Sequence, residues 1–184
     1  MARVPLVPDE DPDATAAGVF DTFKAEGRPP IDLYRALANV PSLLVAYRAL
    51  PQMLRHRATT ERRLRELAVL RVAQLTGSAY EWGHHRPMAI AAGVTERQIG
   101  ELARWDSSQE FGAAERLVLA AVEAVHEIAV TDELFGQLAG ELGQEGAVEI
   151  IAIASQYEAA ARIIQALGIA VEERYRSQLA DWPG

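Results

Sequence analysis

Apolar residues recur every three to four positions along almost the whole chain, and strictly alternating stretches are few. That period predicts helices, and the fold class is all-α. ATAAGVFDTFKAEG reads as a short helix ended by Gly27 and the Pro29–Pro30 pair. IDLYRALANV follows, with Asn39 as a candidate cap and Pro41 in the first turn of a third helix that meets Pro51 near its end. Thr59 or Thr60 is the candidate cap of a long helix, ERRLRELAVLRVAQLT, stopped by Gly77. Ser78 starts the next, which runs to Gly93.

Thr95 with Gln98 has the spacing of a capping box for a short helix reaching about Arg104. Beyond a polar link come AAERLVLAAVEAVHEI, a Thr131-capped helix, EGAVEIIAIASQYEAAARIIQAL and a last amphipathic piece, AVEERYRSQL. Pro5, Pro8 and Pro12 hold residues 1–11 out of helix as an extended arm, which leaves 12–184 as a single all-α domain. At 184 residues the chain suffices for one domain with a sizeable core.

One stretch breaks the run of alanine, leucine and paired charges. SAYEWGHHRPM, Ser78 to Met88, gathers a serine, a glutamate, two histidines and two aromatics. On a helix Glu81 and His85 are i and i+4 and share a face, which Met88 and Ala92 continue; Trp82 and His84 point elsewhere. On the preceding helix Glu66 stands among Val69, Leu70 and Ala73, a carboxylate on a face that otherwise reads as core. Such a group tends towards a raised pKa and can carry a proton. The Gly77 turn can fold the two helices together.

Each residue also has a structural reading. Ser78 and Glu81 have the spacing of a capping box, and Glu66 has Arg62 and Arg63 at i−4 and i−3 for surface ion pairs. Pro87 frees the carbonyl of Gly83, and a kink beside the histidines would favour a pocket there. His84 and His85 diverge by about 100°, so they chelate one ion poorly, and HExxH is absent; no metal site is expected. His56 and His126 read as surface or packing residues.

Charge and composition narrow the partners. The net charge of −8 argues against nucleic acid, and R62-R63-x-R65 with Arg55, His56 and Arg57 reads as solvated helix positions, with an anion funnel near an active-site mouth as the alternative. With no cysteine there is no disulfide, thiolate metal site or cysteine nucleophile. The N-terminus lacks the apolar core of a signal peptide, and no run reaches the roughly 18 apolar residues of a membrane span. A cytoplasmic protein is expected.

The run RELAVLRVAQLTGSAYEWGHHRPMAIAAGVTERQIGEL resembles the carboxymuconolactone decarboxylase family of the alkylhydroperoxidase D-like superfamily, best over roughly residues 40–105. The peroxidase branch carries Glu-x11-Cys-x2-Cys-x3-His; here that spacing reads Glu66, Ser78, Glu81 and His85. YEW, then His two residues on, and AGV are closer to the decarboxylase-like branch. The resemblance implies an all-α bundle assembling as a homo-oligomer (dimer, trimer or hexamer). It also implies an enzyme without thiol peroxidase activity.

Acid–base work without a cofactor is what remains, on a small carboxylated lactone or keto acid. The chemistry would be carbon–carbon lyase (decarboxylase) or a related isomerase or cyclase. His85 is the candidate proton donor, Glu81 its orienter or shuttle, and Glu66, if protonated, a donor to the substrate carbonyl. Ser78, Tyr80, Trp82, His84 and Met88 are candidate substrate contacts. The alternative is a non-catalytic helical scaffold or ligand-binding protein. Burial of Glu66 opposite His85 favours the enzyme, and exposed pairing with Arg62 or Arg63 favours the scaffold.

Overall fold

A computed structural model describes residues 2–10, 12–180 and 182. Eight helices follow one another: α1 (Ala14–Ala25), α2 (Asp32–Leu37), α3 (Pro41–His56), α4 (Arg62–Thr76), α5 (Ala79–Ala91), α6 (Glu96–Glu101), α7 (Ala113–His126) and α8 (Asp132–Leu167). Short 3₁₀ segments cover Leu102–Arg104 and Glu173–Leu179, and no strand occurs among the described residues. None of the described helices is long and apolar enough to cross a membrane.

The organising element is α4. Leu64, Leu67, Ala68, Val69, Leu70, Val72 and Ala73 are all buried, so this helix is apolar nearly all round and packs against α5, α7 and α8. Leu67 and Leu70, fully buried, are each worth about 1.5–3 kcal/mol of apolar transfer. Its end is set by Gly77 at φ +63°, a left-handed conformation that suits glycine, and Ser78 N–H donates to Ala73 O (2.8 Å) across the turn. The chain then reverses, and α5 runs back along α4.

Several helix ends differ from the sequence expectation. Asn39 does not cap α3: Val40 holds that place, and the Asn39 amide donates to Pro5 O (2.7 Å) and Ala36 O (2.8 Å), fastening residues 2–10 to the bundle. Pro51 does not end α3, which continues to His56. Thr59 and Thr60 do not cap α4 either. Their N–H groups donate to the Glu149 carboxylate on α8 (2.7 and 2.9 Å), and Glu61 becomes the cap residue. The two helices expected after Thr131 are both present: α8 breaks at Gly143, whose φ +76° and ψ 164° are non-helical. The Thr95–Gln98 capping box is present on both sides.

The first three helices form a separate layer. Phe20 and Phe23 of α1, Leu33 and Leu37 of α2 and Leu44 of α3 pack together against Tyr80 of α5 and Ile164 near the end of α8. They enclose a space between themselves and α5. A C-terminal segment, Ile169–Leu179, returns along the other side of α5, where Val171 and Leu179 come close to Gly83. A Cβ at Gly83 would meet Val171 Cγ1 at 3.3 Å, so an added side chain would have to push the segment back by a few tenths of an ångström.

Candidate functional site

Because α5 lies between the layer of α1–α3 and the C-terminal segment, its side chains divide between the two sides. Tyr80, Glu81, His84, His85 and Met88 line a cavity of about 500 Å³. Ser78 is the N-cap, its Oγ accepting from Glu81 N–H (3.3 Å), and takes no part in the cavity wall. Trp82 is not brought to the cavity. Two positions on from Tyr80 on a helix is the far side, and Trp82 is fully buried there beside Trp182 with ring centroids 5.3 Å apart.

His85 sits between two carboxylates. Its Nδ1–H donates to Glu66 Oε2 (2.8 Å), and its Nε2 faces Glu81 Oε2 at 3.6 Å. Tyr157 of α8 meets the imidazole edge-on at 4.8 Å. Glu66, only 6% exposed, also receives Arg62 Nε (3.3 Å), so burial and arginine pairing, expected as opposites, occur together. The Ser78–Glu81 capping box is only half formed. Ser78 N–H is already taken by Ala73 O, which leaves the Glu81 carboxylate to the cavity.

The two carboxylates ionise differently. Burial pushes Glu66 up, but the charge and hydrogen bond of His85, with Arg62 and Arg55, outweigh it and hold the group below the usual carboxylate range. The expectation that a protonated Glu66 donates to the substrate is therefore corrected. Glu66 is an anion behind the imidazole, in a recess with Arg55, Arg62 and Tyr157. Glu81 takes the opposite course, pushed up to about 7 by burial, with Glu172 adding to the rise and His85 opposing it. Since the two carboxylates flank opposite nitrogens of one ring, they do not converge on a common point. No cluster of three or more metal-ligating side chains occurs among the described residues.

This split predicts two windows of pH-dependent stability. Folded Glu81 keeps its proton between about pH 4.5 and 7, where the unfolded chain has lost it. Stability therefore falls as pH rises through that window, by up to about 3 kcal/mol at about 1.4 kcal/mol per pKa unit. Glu66 acts in reverse: its contribution is present above the ordinary carboxylate pKa and is lost as pH falls through its depressed folded value. Urea midpoints measured from pH 4 to 8 should decline towards pH 8, and Glu81→Gln should flatten that decline. An unchanged slope in the variant would assign the window to another group.

His84 belongs to a second network on the same helix. Its Nε2 lies 2.6 Å from Glu172 Oε2, and its ring stacks on Tyr80 (4.3 Å) and meets Tyr175 at a tilt (3.9 Å). Burial lowers the His84 pKa despite Glu172. Glu172 Oε1 accepts Asp32 N–H (2.9 Å) and the Tyr80 phenol O–H (3.1 Å), while Tyr80 Oη accepts Leu33 N–H (3.2 Å). Ile31, the N-cap residue of α2, has no polar side chain, so the first amides of α2 are capped by residues distant in sequence. Tyr80 and His84 thus line the cavity and hold its wall in place.

Sequence reasoning missed the opposite wall. Tyr47, Arg48, Pro51, Gln52, Arg55 and His56 face the cavity from α3, at spacings that share one helical face and contained the signal. Arg55, His56 and Arg62 lie at the cavity, as the funnel alternative had it, while His56 and Arg62 are also exposed. His126, by contrast, pairs with Glu158 away from it.

Residues 41–124 match the carboxymuconolactone decarboxylase family. No curated protein matches the chain. Among solved structures, a peroxidase-related protein with the alkylhydroperoxidase AhpD core from Ralstonia eutropha JMP134 is similar at TM-score 0.81. It is 16% identical over 98% of this chain and 96% of its own. A peroxidase-related protein from Silicibacter sp. TM1040 has TM-score 0.80 and 15% identity, covering 96% of this chain and 95% of its own. A variant of the debrominase Bmp8 in complex with 2,3,4-tribromopyrrole has TM-score 0.78 and 21% identity, covering 97% of this chain and 98% of its own. Residues 41–124 thus match the carboxymuconolactone decarboxylase family, and the chain shares the all-α fold of the AhpD-core structures.

Proposed function

We propose that the protein is an acid–base enzyme acting without a cofactor on a small carboxylated lactone or keto acid, by decarboxylation or a related proton transfer. The observation that carries this reading is His85, held at Nδ1 by ionised Glu66 and facing, at Nε2, a Glu81 whose pKa is pushed up to about 7. Two carboxyl groups pushed apart in pKa around one imidazole supply an acid and a base at neutral pH. A chain with no cysteine has no thiolate route.

In the decarboxylation, the bond to the leaving carboxylate breaks and its electron pair enters the adjacent carbonyl system as an enolate. Carbon dioxide departs, and the carbon takes a proton from Glu81. The spent Glu81 is reprotonated through His85 Nε2, while Glu66 fixes the ring and stabilises its charged form. The same transfer without carbon–carbon cleavage gives an isomerase or cyclase. The cationic side chains of Arg48, Arg55 and Arg62 at the cavity favour a carboxylated substrate. Assembly into a homo-oligomer and a cytoplasmic location complete the proposal.

The test is carbon dioxide release from a panel of small β-keto and lactone acids, carboxymuconolactone included, run alongside deuterium incorporation from solvent. Release identifies a decarboxylase, and incorporation without release identifies an isomerase-type proton transfer. Neither signal from any member would overturn the acid–base reading and leave the ligand-binding scaffold.

A further inference from the structure

All five tyrosines of the chain line this one cavity: Tyr34 and Tyr47 from α2 and α3, Tyr80 from α5, Tyr157 from α8 and Tyr175 from the C-terminal segment. They come from five separate elements, so no local sequence pattern brings them together. Tyr34 and Tyr47 meet edge to face at 6.4 Å, and Phe23 meets Tyr34 in the same way at 5.6 Å. Burial pushes the phenols of Tyr34, Tyr47, Tyr80 and Tyr157 up, so these four stay neutral and none repels an anion. Walls of this kind offer faces and edges to a flat ring and favour it beyond simple area burial.

The charges on the wall are unevenly satisfied. Arg62 pairs with Glu66 and Arg28 with Glu26. Arg48 donates to Thr22 Oγ1 (2.8 Å), and Arg55 donates to Met88 Sδ (2.7 Å). Neither has a carboxylate partner among the described residues, although both are half-buried in a chain of net charge −8. They stand seven residues apart on one face of α3, about 10 Å along the axis. Of the two, Arg55 is nearer the acid–base pair, sharing a recess with Glu66, His85 and Tyr157. A half-buried guanidinium left without a counter-charge is costly unless a ligand supplies one.

We infer that the cavity takes a planar aromatic or heteroaromatic carboxylate, its ring seated among the tyrosines and its carboxylate bound by Arg55. The inference rests on the acid–base reading for placing the site, and narrows its small lactone or keto acid to one whose carboxylate and carbonyl are borne on a flat conjugated ring. Arg48, farther along α3, provides a second point of attraction for an acidic ring substituent.

Binding can be read separately from turnover. Isothermal titration of the full chain would use benzoate, 2-naphthoate and pyrrole-2-carboxylate, against cyclohexanecarboxylate (same charge, no flat ring) and benzamide (a ring without charge). At least one aromatic acid should bind about tenfold tighter than both controls. Arg55→Ala should lose about tenfold for that acid and Arg55→Lys less, while Arg57→Ala, a neighbouring exposed arginine outside the cavity, should lose nothing. Equal binding of cyclohexanecarboxylate, absence of binding by every aromatic acid, or unchanged affinity in folded Arg55→Ala would each overturn the inference. Tight ring-dependent binding with no proton transfer to any probe would instead sink the acid–base reading and leave this one standing.

Discussion

Alanine in place of His85 lowers turnover by about 10²- to 10⁴-fold, the range that a positioned acid or base contributes. The loss should fall on kcat more than on KM, since the imidazole's proposed work is to move a proton rather than to hold the ring or the carboxylate. Glu66 then loses its 2.8 Å partner but keeps Arg62, so the variant should remain folded with a modest drop in stability. The pH–rate profile separates a catalytic from a structural role. Wild type should show a limb near pH 7 from Glu81, and the residual rate in His85→Ala should lose the coupling that reprotonates it. A folded variant retaining activity within threefold would remove His85 from the chemistry.

The largest effect on stability belongs to a neighbour three residues away. Trp82→Ala should cost about 3–5 kcal/mol, the usual range for emptying an aromatic from a core. The side chain is fully buried among Leu67, Leu70 and Leu102, and Trp182 covers it. Denaturant unfolding would measure the loss, and Trp82→Phe should recover much of it. The kcat/KM of the molecules that remain folded should be nearly unchanged, because Trp82 is absent from the cavity wall. A large rise in KM with stability intact would instead make it a substrate contact.

These two residues show where sequence is informative and where it stops. The pairing of Glu66 with His85 was legible because it depends on local facts: two helical faces, the Gly77 reversal and a separation of 19 positions. Trp82 was placed a quarter turn from the acid–base face, yet its distance from the cavity depends on Trp182, a hundred residues later. The ionisation of Glu66 also depends on a partner outside its own helix. An apolar setting pointed to a raised pKa, but the charge and hydrogen bond of His85, with Arg62 and Arg55, outweigh burial. Glu81 was expected in a capping box, and a single competing carbonyl, Ala73 O, freed it.

The wall opposite α5 shows a different limit. Tyr47, Pro51 and Arg55 are spaced on one face, but that spacing alone cannot say whether a mixed polar and aromatic face meets water or a cavity. Only the layer of α1–α3 folding over α5 decides it. Even the class-level reading of an all-α fold, which holds, left open that Thr59 and Thr60 serve Glu149 instead of capping α4.

The capping of α2 by Glu172 also sets an order in time. Asp32 N–H and the carboxylate that receives it are 140 residues apart. At about 5–20 residues per second, a ribosome delivers the carboxylate roughly 7–28 seconds after the amide it will cap. Throughout that interval α2 has no side chain to close its first turn, and the wall it forms has nothing to lock it. The cavity is therefore among the last features of the molecule to be completed.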